Sequence, residues 1–106
     1  MECERGITMK EYNYRAMAIN KVFTTKRRIE KMIEKSPDDK TLEIFGTQTI
    51  ARMEFMYKTL ESWFSDGIED RWDAETISNG KAACIGNIDS LELLTKDMED
   101  ALFKKA

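Results

Sequence analysis

The sequence predicts an all-α fold, a long antiparallel three-helix bundle with helices over about 8–35, 37–65 and 73–104. Three observations predict it. Apolar residues recur every three or four positions over long stretches, which is the period of one helical face. Breakers are scarce: Pro37 is the single proline, and only five glycines occur. Start and stop signals fall between the periodic stretches. The 106 residues make one domain with one core.

Helix 1 is predicted to start at Thr8, after a frayed lead-in at 1–6. Thr8-Met9-Lys10-Glu11 has the form of a capping box. Tyr12, Ala16, Ile19, Val22, Phe23, Ile29 and Ile33 then share a face and read as core. Ser36-Pro37-Asp38-Asp39 stops that helix and opens the next. Serine suits the N-cap, proline the first helical position, and aspartates the positive end of the dipole. The core face of helix 2 reads as Leu42, Phe45, Thr49, Met53, Met56, Leu60, Trp63 and Phe64. Gly46 lies near that face and leaves room for a neighbouring helix. Ser65-Asp66-Gly67 is turn chemistry. Helix 3 keeps a near-heptad rhythm through Ile77, Cys84, Ile88, Leu91, Met98 and Leu102. It is read as continuous across Asn79-Gly80, with a turn there as the alternative. The tight first connection makes helices 1 and 2 antiparallel neighbours.

Composition removes several kinds of function. Histidine is absent, so the commonest general base and transition-metal ligand are missing. Cys3 and Cys84 form no CxxC pair, and Cys84 reads as a small buried hydrophobe. Glu30-x-x-x-Glu34, Glu69-x-x-x-Asp73 and Asp97-x-x-Asp100 lack the paired ExxE and ExxD spacing of all-α nucleotide pyrophosphohydrolases. No metal site and no cofactor are therefore expected, and an enzyme is not. No apolar run approaches the ~20 residues of a membrane span, and the charged N-terminus is not expected to act as a signal peptide. The expected compartment is the cytoplasm.

What remains lies off the core faces. Helix 2 carries a second apolar set, Ile44, Ala51 and Phe55, roughly opposite Leu42 and Leu60. Helix 1 has a weaker second stripe, Tyr14, Ala18, Thr25 and Met32. A helix that is apolar on two faces is usually covered on both. Ile44, Ala51, Phe55, Tyr14 and Met32 are thus the expected contacts with a protein partner or another copy of the chain. Charge is uneven: residues 1–35 carry +4, 36–65 carry −2 and 66–106 carry −5. Lys10, Lys21, Arg28, Lys31 and Lys35 fall in one sector of helix 1. They read as an acidic-partner or phosphate stripe, or as a face paired with the acids of helix 3. Arg15 and Lys26 lie nearer the core side and need anionic partners, for which Glu30 or Glu54 is placed.

The sequence therefore favours a non-enzymatic binding protein acting by protein–protein association, oligomeric, as an adaptor, assembly factor or small inhibitor of the phage type. Nucleotide or nucleic-acid phosphate binding by helix 1 is the first alternative, and a magnesium-dependent nucleotide hydrolase the second.

Overall fold

A computed structural model of the chain describes residues 2–103, with side chains described from residue 14 onward. Four helices follow in order: α1 Glu2–Lys35, α2 Lys40–Ser62, α3 Ile68–Arg71 and α4 Ala74–Phe103. The three long helices each pack against the other two, and the one-turn α3 lies against α4. This is the expected all-α bundle. The α4 helix runs unbroken through Asn79-Gly80.

Ion pairs between helices show the directions. Arg15 meets Glu61 and Lys26 meets Glu54, so α1 and α2 run antiparallel. Lys21 meets Asp89 and Arg28 meets Glu99, so α1 and α4 run parallel. The core-facing residues alternate four and three apart. On α1 they are Ala18, Val22, Thr25, Ile29 and Met32; on α2 they are Leu42, Gly46, Thr49, Met53, Met56 and Leu60. On α4 the spacing recurs through Cys84, Ile88, Leu91 and Thr95. This is the spacing that keeps a seam facing its neighbours over several turns. Gly46 lets α1 close in, because a Cβ there would stand 2.7 Å from Ile29 Cγ2.

The seam holds three buried threonines, Thr25, Thr49 and Thr95, one from each long helix. The ion pairs place Thr25 and Thr95 at the same level and Thr49 within about a turn of it. Lys21–Asp89 and Arg28–Glu99 bracket Thr25 and Thr95 on α1 and α4. Lys26–Glu54 and the contact of Ile29 with Gly46 bracket Thr49 on α2. The threonines divide the apolar core in two. Ala18, Val22, Met53, Leu60, Cys84 and Ile88 form one cluster. Ile29, Met32 and Leu42 form the other. Thr49 donates to Phe45 O at 2.8 Å and Thr95 to Leu91 O at 2.9 Å. The buried Thr25 Oγ1 has no hydrogen-bond partner.

Several sequence expectations are corrected. The α1 helix is described from Glu2, so Thr8 lies inside it rather than at its start. The side chain of Tyr12 lies outside the described set. The buried face of α1 is turned by one residue, about 100°. Ala18 and Met32 are buried where Ile19 and Ile33 were expected, while Ala16, Ile19 and Phe23 are exposed. The small Ala18 and Thr25 suit a seam shared with two helices, where a phenyl ring would hold the backbones apart. The α2 helix starts at Lys40 rather than Pro37. Asp39 is its N-cap, accepting from Leu42 N at 3.0 Å. Ser36 stays with the end of α1, its N–H bonded to Met32 O and Ile33 O. The helix ends at Ser62 rather than 65. Phe45 and Leu102 sit at the rim of the core, more than a third exposed.

Residues 63–73 close one end of the bundle. Gly67 adopts φ +79°, a backbone shape that favours glycine, and leads into α3. Trp63 and Trp72 meet edge to face with centroids 6.0 Å apart. Phe64 lies under two cations, Arg15 at 4.8 Å and Lys81 at 4.2 Å from its centroid. Asp73 caps α4 by accepting from Thr76 N at 2.8 Å; the Thr76 side chain, and then its backbone N–H, hold the Asp73 carboxyl below the usual range. Gly80 gives Trp63 its seat, since a Cβ there would stand 2.3 Å from the indole Cε2.

Two stability outcomes follow. Gly80→Ala is expected to cost about 1–2 kcal/mol, read as a lower urea midpoint. Overpacking against a rigid indole outweighs the better helix propensity of alanine. Thr25→Val is expected to raise stability by about 1 kcal/mol, because it removes a buried hydroxyl that bonds nothing. A thermal midpoint for Thr25→Val at or below wild type would show that the hydroxyl is satisfied.

Candidate partner interface

The α2 helix is amphipathic twice over. With Leu42, Gly46, Thr49, Met53 and Leu60 turned inward, residues 44, 51 and 55 must point away at 100° per residue. Ile44 is 59% exposed and Phe55 63%, and Ala51 is exposed between them. Tyr14, at 49%, is exposed on α1. Met32 is the exception among the expected contacts. It is 2% exposed and packs with Ile29 and Leu42, so no partner reaches it.

The turned face of α1 creates a second apolar surface. Ile19 and Phe23 line a cleft of about 370 Å³ between α1 and α2, with Val22 and Tyr57 beside them. Lys26 and Glu54, 3.4 Å apart, and Lys58 form its polar edge. Further along, Arg15 grips Glu61 with two hydrogen bonds of 2.9 and 2.7 Å. Tyr57 donates its hydroxyl to Glu61 Oε1 at 3.0 Å. Arg15 holds the Glu61 carboxyl below its usual pKa, with Tyr57 assisting against partial burial. Burial, and then the bond to Glu61, raises that of Tyr57. These bonds fix the polar border of an apolar cleft. A third surface, about 330 Å³, lies between α2 and α4 against Phe45, Met98, Ala101 and Leu102.

The cleft of Ile19 and Phe23 was not expected from sequence, because both were read as core. The signal that would have found it was the four-three alternation through Ala18, Val22, Thr25, Ile29 and Met32. It emerges only when small and hydroxyl residues are counted as core.

The basic stripe of α1 is largely occupied. Lys21 bonds Asp89, which raises the lysine pKa, and Arg28 lies 3.8 Å from Glu99. The ammonium of Lys35 sits 5.5 Å from the centroid of the Phe103 ring. Lys31 is exposed. The side chain of Lys10 lies outside the described residues. Among the described residues, no three cysteine, aspartate or glutamate side chains are grouped to hold a metal ion. Cys84 is buried, and burial pushes its thiol pKa up. No described helix is long and apolar enough to cross a membrane.

The Arg15–Glu61 pair gives a pH dependence. The Glu61 carboxyl titrates lower folded than unfolded, so the unfolded chain takes up the proton first as pH falls. Its contribution to stability is complete above the ordinary glutamate range and is lost as pH drops through the lowered value. Thermal melts from pH 7 to pH 3 should show a smaller acid loss for Glu61→Gln than for wild type. Parallel acid limbs for the two proteins would remove Glu61 as a contributor.

No protein-family model matches the chain, and neither does any curated protein or solved structure.

Proposed function

We propose that this chain is a non-enzymatic cytoplasmic bundle protein that works by protein–protein association, as an adaptor, assembly factor or small inhibitor. One observation carries the reading. With the core closed, large apolar side chains still lie on the outside: Ile44 and Phe55 on α2, and Phe23, 63% exposed, over the α1/α2 cleft. Such groups are ordinary when isolated. Several on faces with a defined border favour a surface that another protein covers. Phosphate binding along α1 draws less support, because Lys21 and Arg28 would first have to leave Asp89 and Glu99.

The test is the mass of the assembly isolated under mild conditions from cells that make the protein. A mass well above the 12.3 kDa of one chain is expected. The double substitution Phe23→Glu/Phe55→Glu should return it to a single chain without loss of helicity. A wild-type protein that emerges alone at 12.3 kDa would overturn the proposal.

A further inference from the structure

We infer that the outer face of α2 packs against the same face of a second copy of this chain, as an antiparallel helix pair about a two-fold axis. This rests on the association reading above and names the partner for one of its surfaces.

The first argument is the spacing. Ile44, Gln48, Ala51 and Phe55 are all exposed and follow one another at intervals of four, three and four. That order reads the same from either end. An isologous interface needs this property, because each copy meets the other with its sequence reversed. With the axis between residues 48 and 51, Ile44 faces the second copy's Phe55, and Gln48 faces its Ala51. Each end of the seam then holds one Ile–Phe pair, and the two smaller pairs lie at the centre. A parallel pairing would set Phe55 on Phe55 and Ala51 on Ala51, leaving a wide layer beside a narrow one.

The second argument is the flanks. In an antiparallel pair, flanking residues meet their own kind of position on the other helix. On one flank, Arg52 comes beside the second copy's Phe45. Arg52 is exposed and has no ion pair among the described residues. Phe45 is an exposed ring. A guanidinium over a phenyl face is a favourable pairing, made twice by symmetry. On the other flank, Glu54 comes beside the second copy's Thr47, and Lys40 beside its Glu61, whose carboxylate Arg15 already holds. Neither flank sets like charges against each other. The four seam residues span Ile44 to Phe55, about 17 Å of α2, and Thr41 and Lys58 take the next positions along the same face. An apolar seam that short makes a small interface, so a weak, reversible dimer is expected.

Sedimentation of the purified chain across micromolar to millimolar concentrations tests this. The wild type should pass from 12.3 kDa to twice that mass. Ile44→Lys alone and Phe55→Glu alone should each weaken the dimer by about 100-fold, since each sets a charge against an apolar side chain. Ile44→Lys/Phe55→Glu together should restore it, because the two new charges, eleven residues apart on one helix, meet only across the axis. Circular dichroism of these surface variants confirms that they fold. A wild type that stays at 12.3 kDa throughout overturns the inference. The association reading would then stand or fall on the mass of the assembly from producing cells. A dimer that tolerates both single substitutions, or that the double does not restore, also overturns this seam and register.

Discussion

Three helices sharing one narrow seam is the constraint on which the rest of this structure depends. A seam that must face two neighbours over several turns has room for one residue every three or four positions. Where the backbones come closest, those residues must be small. Gly46 admits Ile29, and Gly80 admits the indole of Trp63. Ala18 and Thr25 take α1 positions within two residues of Ile19 and Phe23, which are bulkier and lie outside. The exposed apolar surface is thus a geometric result of how the core was filled. On α1 the small Ala18 and Thr25 lie inside with Val22, Ile29 and Met32, while the bulky Ile19 and Phe23 are left at the border.

The threonine layer has the same origin. Thr49 and Thr95 are branched, compact and able to bond their own helix four residues back, so they fill the centre of the seam without an orphaned hydroxyl. Thr25 fills space equally well but leaves its hydroxyl unbonded. Polar atoms within about a turn of one level also interrupt the apolar contact between the two core clusters. Slipping a helix by one heptad would bring a threonine of one layer into apolar surroundings. The layer therefore favours the observed register at some cost in stability. Register in turn sets the ion pairs, since Arg15–Glu61 and Lys21–Asp89 exist only at this alignment.

Much of this was legible in the sequence. The class, the three long helices, the role of Gly46, the start of the last helix at Asp73 and its continuity through Gly80 follow from periodicity and capping rules. The misreadings share one cause: hydrophobicity was weighed above size. Ile19 and Phe23 are the greasier residues of α1 and were assigned inward. Ala18, Thr25 and Met32 were assigned outward, which placed Met32 among the partner contacts. The one local signal, the four-three alternation through Ala18, Val22, Thr25, Ile29 and Met32, is weak because it counts small and hydroxyl residues as core, and the choice between the faces is made by neighbours far away in sequence. The start of α2 shows a local ambiguity instead. Ser36 and Asp39 are both good caps, and Asp39 prevails because Ser36 is already bonded to the end of α1. On α2 the outcome was better defined. Leu42, Thr49, Met53 and Leu60 fix the inner face strongly enough that Ile44, Ala51 and Phe55 have nowhere to go but out.

Charge completes the division between inside and outside. The cationic α1 lies parallel to the acidic α4, and the pairs between them cross the bundle's own surface. Such pairs are partly exposed and contribute little to stability. Their consequence is rather for recognition. Lys21 and Arg28, two of the cations that would attract a phosphate or an acidic surface, are held beside carboxylates of the same chain, which shortens the reach of their field. The α2 helix is different, because Arg52 on its outer side has no such neighbour among the described residues and stands next to exposed apolar groups. A surface of that make-up gains most from a partner offering apolar side chains and an aromatic face, and α2 itself offers both.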